Sequence, residues 1–189
     1  MRIVGGQFRG RVLATPGDDR TRPTSDRVRE AVFNILAHGV ADFALEGVRV
    51  LDLFAGTGAL GVEALSRGAA YCLFVEEDAE ARGTIRRNVE AFGLTGITKI
   101  FRRDATALGP AENRGTFGLV FLDPPYGKGL GERALASASA GGWLTPDAVA
   151  VMEERKDTVI ALPVDFTAID QRSWGDTQVV FARFSAGRG

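Results

Sequence analysis

Leu51-Asp52-Leu53-Phe54-Ala55-Gly56-Thr57-Gly58-Ala59-Leu60-Gly61 joins an apolar run, residues 48–53, to a short helical pattern. The spacing Gly56-x-Gly58-x-x-Gly61 makes a loop that turns tightly and lets its backbone approach a ligand. The helix it opens carries partial positive charge at its N-terminus. Glu76 and Glu77 close the next apolar run about 20 residues on, where a carboxylate can hold the two hydroxyls of a ribose.

Outward from this stretch the chain alternates. Strands are predicted over 48–53, 70–75, 97–102, 117–122 and 148–152, with helices over 59–67, 78–92 and 128–140. Apolar strands alternating with helices predict an α/β fold, a parallel sheet covered on both faces. The alternation stops near the C-terminus, where 166–172 and 177–184 flank Ser173-Trp174-Gly175-Asp176 as an antiparallel hairpin. At the other end, residues 1–14 read as a β-hairpin turning through Gly5-Gly6 to Gly10, followed by a polar loop over 15–23. Thr24 or Ser25 caps a helix to about His38, with Val28, Val32, Ile35 and Leu36 on its apolar face and Gly39 as its stop. Residues 39–46 are the linker candidate. The chain thus divides into an extension over 1–45, an α/β domain over 46–185 and a tail over 186–189.

Bulk properties bound the function. With 189 residues, 45% hydrophobic and 25% charged, the chain fits one globular domain in the cytosol, expected to be a monomer. No apolar run approaches the ~18 residues that span a bilayer, so no membrane partner is expected. One cysteine and one histidine exclude an intrachain disulfide and argue against a structural zinc, so no metal ligands are expected. The net charge of −1 hides an asymmetry. The first 30 residues hold seven arginines against four carboxylates, a net of +3, and the remainder carries −4. A basic N-terminal segment on an acidic body suits a polyanion docking at one end.

The ligand of the glycine loop follows from Asp52, four residues before Gly56. A dinucleotide would place its anionic pyrophosphate beside that carboxylate and be repelled. S-adenosyl-L-methionine brings an α-ammonium and a sulfonium and is attracted. Two unit charges ~4 Å apart at an effective dielectric of ~20 interact by ~4 kcal/mol, enough to decide between them. Phe54, Gly56, Thr57 and Gly58 are then cofactor-binding loop residues, and Glu76 is the ribose carboxylate. Asp104, followed by Ala105, ends the third strand, where a carboxylate can accept from the adenine amino group or simply cap the next turn.

Leu122-Asp123-Pro124-Pro125-Tyr126 follows the fourth strand. Ligands of open α/β sheets bind beyond the carboxyl ends of the strands, near the switch point between the first and fourth, so both motifs converge on one crevice. An exocyclic base amine is a poor nucleophile because its lone pair is delocalised into the ring. Two fixed acceptors, the Asp123 carboxylate and the Pro124 carbonyl, favour a geometry that localises it. Pro124 and Pro125 stiffen the loop. Tyr126 can stack on an extruded base. These four residues are the expected catalytic set.

The sequence resembles the bacterial 16S ribosomal RNA guanine-N2 methyltransferases, the RsmD family, over nearly the whole chain. The matching segments are Arg22-Pro23-Thr24-Ser25-Asp26-Arg27-Val28-Arg29-Glu30, the glycine-loop stretch, Glu63-Ala64-Leu65-Ser66-Arg67-Gly68-Ala69, Asp123-Pro124-Pro125-Tyr126, Gly142-Trp143-Leu144 and Gly175-Asp176-Thr177. The Arg-Pro-Thr segment narrows the choice most, because Asp-Pro-Pro-Tyr is shared with adenine-N6 and other amino methyltransferases. The resemblance implies a class I methyltransferase (Rossmann-like) fold, a seven-stranded, mostly parallel sheet with the last strand antiparallel. It also implies S-adenosyl-L-methionine as cofactor. The implied substrate is 16S rRNA within an assembled or assembling small ribosomal subunit. Guanine rather than adenine, and ribosome rather than other RNA, rest on the resemblance.

Arg2, Phe8, Arg9 and Arg11 of the N-terminal hairpin, with Arg22 ahead of the helix, are the expected RNA-binding residues, gripping phosphates or stacking a base. A structural flap over the sheet is the alternative. Cys72, Trp143 and Trp174 read as packing residues, His38 as a helix-end residue, and Glu153-Glu154 as charge on the rim. The rival functions are an adenine-N6 methyltransferase on RNA or DNA, a nicotinamide-dependent oxidoreductase, and a non-catalytic assembly factor. Asp52 and the Asp-Pro-Pro-Tyr motif argue against the last two.

Overall fold

The computed structural model of the protein describes residues 1–16 and 25–187. Seven strands, β1 (Arg49–Leu53), β2 (Tyr71–Val75), β3 (Thr98–Phe101), β4 (Phe117–Leu122), β5 (Leu144–Arg155), β6 (Phe166–Trp174) and β7 (Thr177–Phe184), form one sheet in the order β3-β2-β1-β4-β5-β7-β6. The first five run parallel to one another, and β7 inserts antiparallel between β5 and β6. This is the parallel α/β sheet that the alternation predicts and the class I methyltransferase architecture that the resemblance implies. The chain runs outward from β1 through β2 to β3, then crosses back to set β4 beside β1. That reversal opens a crevice at the carboxyl ends of β1 and β4.

The helices are α1 (Asp26–His38), α2 (Ala59–Ser66), α3 (Ala79–Ala91) and α4 (Leu130–Ala140). Ser25 caps α1, its hydroxyl accepting from Val28 N at 3.2 Å. Asp78 caps α3 by accepting from Ala81 N at 2.7 Å. Each satisfies one of the orphan amides of a helix start. One sheet face, including Val50, Phe74, Phe121 and Phe181, packs against Phe33 and Leu36 of α1, Val62 and Leu65 of α2, and Ile85 and Val89 of α3. The other, including Leu51, Leu53, Val120 and Leu122, packs against Ala134, Leu135 and Ala138 of α4. The period-2 alternation of a strand assigns Asp52 to the first face. Among the described residues no helix is long and apolar enough to cross a membrane.

Two elements depart from the sequence reading. Strand β5 begins at Leu144, not 148, and runs to Arg155. Its register against β4 slips between Phe117 and Leu119, and Asp147 takes φ +61°. The strand passes through Thr145-Pro146-Asp147 with a bulge-like irregularity, which the predicted start at 148 leaves out. The N-terminal hairpin is reduced to one bridge, Arg2 with Val12, and a 3-10 turn over Gly6–Phe8. Its ladder stops because the amides of Val4 and Gly5 donate to Glu63 of α2 instead, at 3.0 and 2.8 Å.

Candidate active site

The glycine loop leaves β1 with three positive backbone angles: Phe54 at φ +54°, Gly56 at +57° and Gly58 at +78°. A side chain on Gly56 would enter open space, its nearest neighbour being the Phe54 carbonyl oxygen 4.0 Å away, whereas one on Gly58 would meet the Phe74 ring at 3.2 Å. Gly61 has no room either, since an added carbon would lie 2.6 Å from Cys72 Sγ. One glycine therefore faces open space, and two seat α2 on the sheet. The loop is fastened by carboxylates. Glu76 Oε2 accepts from Gly56 N at 2.9 Å and its Oε1 from Asp78 N at 3.0 Å. Asp52 Oδ2 accepts from Gly61 N at 3.1 Å.

Asp52 is only 2% exposed. Burial pushes its carboxyl well above the usual range; the Gly61 bond opposes this, and the charges of Asp123 and Glu76 add to it. Asp123 and Glu76 therefore both lie near enough to Asp52 for their charges to act on it. The register agrees, because Leu53 pairs with Leu122, so the residues after both issue side by side from β1 and β4. Asp104 is a cap: its Oδ1 accepts from Thr106 N at 2.8 Å and from the Thr106 hydroxyl at 2.7 Å. Those two bonds, the hydroxyl's first, hold its carboxyl below the usual range. Both fall on Oδ1, so Oδ2 is the atom a ligand amine could use. Ala105 is buried in the α4-side core, which leaves its backbone as the part that can face a ligand.

Beyond β4, Asp123 is half-buried, Pro124 buried, Pro125 exposed and Tyr126 half-buried. The Tyr126 hydroxyl donates to Glu153 Oε1 and lies 3.3 Å from Thr177 Oγ1. Burial, with the Glu153 bond second, raises the Tyr126 pKa well above that of free tyrosine. Gly127 N donates to Glu154 Oε1 at 3.0 Å, and Glu154 is itself buried. The expectation that Glu153-Glu154 is rim charge is therefore corrected. Both residues anchor the loop that follows β4, from the strand beside it. An acidic pair closing an apolar strand was the available signal, but only the β4–β5 pairing makes it meaningful.

The N-terminal arm is already engaged with the body. Phe8 meets Phe92 edge-on, with centroids 5.2 Å apart, and the Arg11 guanidinium lies over the Phe92 ring at 4.2 Å. Arg11 Nη2 also donates to the Ala91 carbonyl at 2.6 Å, and Arg2 Nη1 to that of Gly10 at 2.9 Å. Arg9 is exposed. This is the arrangement of a docked flap more than of an open gripping hairpin, although Arg2 and Arg11 are exposed as Arg9 is. Arg22 lies outside the described residues.

Comparison with known proteins places this geometry. The family described as Conserved hypothetical protein 95 matches residues 1–183. The Escherichia coli (strain K12) ribosomal RNA small subunit methyltransferase D is 38% identical over 154 residues, 81% of this chain and 74% of the relative. The Haemophilus influenzae protein of the same name is 33% identical over 93% of this chain and 89% of its own. The chain belongs to the small-subunit ribosomal RNA methyltransferase D family. A solved Escherichia coli structure, provisionally described as a methyltransferase, superimposes at TM-score 0.84 with 30% identity and 99% of each chain covered. A Thermus thermophilus 16S rRNA N2 G1207 methyltransferase in complex with AdoMet and guanosine shares the fold at TM-score 0.62 and 22% identity, covering 89% of this chain and 44% of its own.

For a member of the methyltransferase D family the donor set is informative. An anionic pyrophosphate would add to the negative charge of Asp123 and Glu76 that already acts on Asp52. A positively charged nucleoside would offset that negative charge, and the open side of Gly56 gives it room. The crevice therefore fits a cationic nucleoside and disfavours a nicotinamide dinucleotide. Among the described residues no cluster of histidine, cysteine or carboxylates is placed to hold a metal ion.

Proposed function

We propose that this chain transfers a methyl group from S-adenosylmethionine to the exocyclic N2 amine of a guanine in 16S rRNA, presented in an assembled or assembling small ribosomal subunit. What supports this reading is that Asp52, in β1, and Asp123, directly after the parallel neighbour β4, lie near enough for the charge of Asp123 to act on Asp52. The cofactor, when bound, supplies a methyl group made electrophilic by its sulfonium.

The protein's own residues do the rest. Asp52 offers negative charge to the ammonium side of the cofactor, the Gly56 side of the loop leaves room for it, and Glu76 takes the ribose hydroxyls. Asp104 Oδ2 accepts from the adenine amine. Asp123 and the Pro124 carbonyl accept the two N–H bonds of the target amine and hold its lone pair toward the methyl group. Pro124 and Pro125 keep these acceptors fixed before the substrate arrives, so little reorganisation is required at the moment of transfer. Such positioning contributes of order 7–11 kcal/mol in well-oriented systems. The proton the amine sheds goes to Asp123 or to water. Tyr126 supports the flat face of the base.

The test is methyl transfer to small subunits purified from a strain lacking this gene, with the product nucleosides resolved by mass spectrometry. N2-methylguanosine at a single 16S rRNA nucleotide is expected. N6-methyladenosine instead would reassign the base, and no transfer to any RNA would remove the proposal.

A further inference from the structure

Asn88 lies in α3, outside the crevice residues named so far, and is 1% exposed. Its Oδ1 accepts from Ala14 N at 2.7 Å, and its Nδ2 donates to the carbonyls of Ala14 at 3.1 Å and Thr57 at 2.9 Å. The bonds fix the amide's orientation. Flipped, its NH2 would face an N–H and its oxygen two carbonyls, so all three contacts would turn repulsive. One buried side chain thus ties the end of the N-terminal arm to the middle residue of Gly56-Thr57-Gly58.

The arm meets the same loop from its other end. The Thr57 hydroxyl donates to Met1 Sδ at 3.9 Å. Between those points the arm is bound to α2, the helix that the loop opens. Val4 and Gly5 amides donate to Glu63, Phe8 N donates to Ser66 Oγ at 3.0 Å, and Ser66 Oγ donates to the Gly5 carbonyl at 2.6 Å. Loop, helix and arm are therefore one hydrogen-bonded body. A ligand that orders the loop cannot be indifferent to whether the arm is docked.

We infer that residues 1–14 are coupled to cofactor binding, with Asn88 as the positioning residue that transmits the coupling. This rests on the reading of the glycine loop as the cofactor site. By linkage the coupling is reciprocal: the docked arm tightens cofactor binding, and bound cofactor holds the arm down. An arm serving only as an RNA flap would have no such effect.

The experiment compares the full-length chain with Asn88→Ala and with Ala14→Pro. The second removes the N–H that donates to Asn88, also fixing the backbone at Ala14 and restricting Leu13, and leaves both partners of the Asn88–Thr57 bond unaltered. The probe is S-adenosylhomocysteine, measured by calorimetry and by its protection of the arm from trypsin at Arg9. The wild type is expected to bind it and to be cleaved more slowly when it is bound. Both variants should bind roughly tenfold more weakly and lose that protection. In turnover assays KM for S-adenosylmethionine should rise while kcat at saturation stays near wild type, a split that general loosening of the fold does not produce. Wild-type affinity and protection in either variant that circular dichroism shows to be folded would overturn the coupling alone. Failure of the wild type to bind would overturn the cofactor reading together with the coupling.

Discussion

Tyr126 donates its phenolic hydrogen to Oε1 of Glu153, so the last residue of Asp-Pro-Pro-Tyr is fastened to strand β5. The next residue is held the same way, Gly127 N donating to Glu154 Oε1 at 3.0 Å. The rigidity of this loop therefore has two sources. Prolines restrict the backbone, and two consecutive glutamates fix where its far end lies. A tyrosine held at its hydroxyl presents its ring in one orientation, which a stacking platform requires.

Glu153→Ala should release that ring. A hydrogen bond to a charged acceptor is worth roughly 1.5–3 kcal/mol, so KM for the small subunit should rise on the order of tenfold or more, with S-adenosylhomocysteine affinity unchanged. Glu153→Gln keeps an acceptor oxygen and should recover most of the loss. Steady-state kinetics on the three proteins decide it. Wild-type kinetics in Glu153→Ala would show that the tyrosine needs no anchor.

The parts of this molecule that are local in sequence are legible without a structure. Ser25 and Asp78 announce helix starts by side-chain chemistry, and the 52–61 stretch carries its own turn. The strands show as apolar runs because both faces of the sheet are covered. What stays hidden depends on pairings between distant segments. Glu153 and Glu154 look like surface charge until β5 is set beside β4. Asn88 looks like an ordinary polar residue of a helix until Ala14 and Thr57 arrive from either side. The N-terminal hairpin is visible, but not that its ladder is cut short by a carboxylate on α2, because Val4 and Gly5 do not advertise what their backbone amides will meet.

Arg29 and Glu63 form an ion pair at 3.4 Å with both side chains fully buried. Glu63 also accepts from Arg67 at 2.9 Å and from two amides of the arm. Removing one partner of a buried pair leaves charge uncompensated, so Arg29→Met should cost about 3 kcal/mol in urea denaturation. Replacing both partners, with Glu63→Leu added, often restores stability where a pair stands alone. Here it should not, because the amides of Val4 and Gly5 lose their acceptor. Full recovery in the double variant would mean that the arm contributes nothing to the fold.

Asp123→Ala should abolish turnover, by at least a hundredfold in kcat, while S-adenosylhomocysteine binds within a few-fold of wild type. The carboxylate is assigned to the target amine and not to the cofactor, so binding and chemistry should separate. Asp123→Asn keeps one acceptor oxygen but can no longer take a proton. Its turnover should fall between the two, unless water receives the proton, in which case it should approach wild type. Single-turnover measurements with saturating cofactor distinguish these outcomes. Turnover at the wild-type rate in Asp123→Ala would contradict the assigned role.

If Asp52 is the counter-charge of the cofactor, as proposed, its burial as a carboxylate should oppose folding, and that conflict is measurable. Its folded-state carboxyl is raised well above the ordinary value, burial being the first cause. The native state therefore holds this proton more tightly than the unfolded chain does. Stability from this group is fully present below the unfolded value of about 4 and is lost as pH rises toward the raised folded value. Asp52→Asn removes the charge while its oxygen can still accept from Gly61 N. The variant should melt higher than wild type near neutral pH, and the gap in Tm should close as pH falls toward 4. The same substitution should weaken S-adenosylmethionine binding on the order of tenfold or more, because the cationic ligand loses its counter-charge. Higher stability and lower affinity from one substitution is the signature expected of a buried carboxylate kept for its ligand. A variant that melts at or below wild type at pH 7, or that binds the cofactor equally well, would show that Asp52 serves only to hold Gly61.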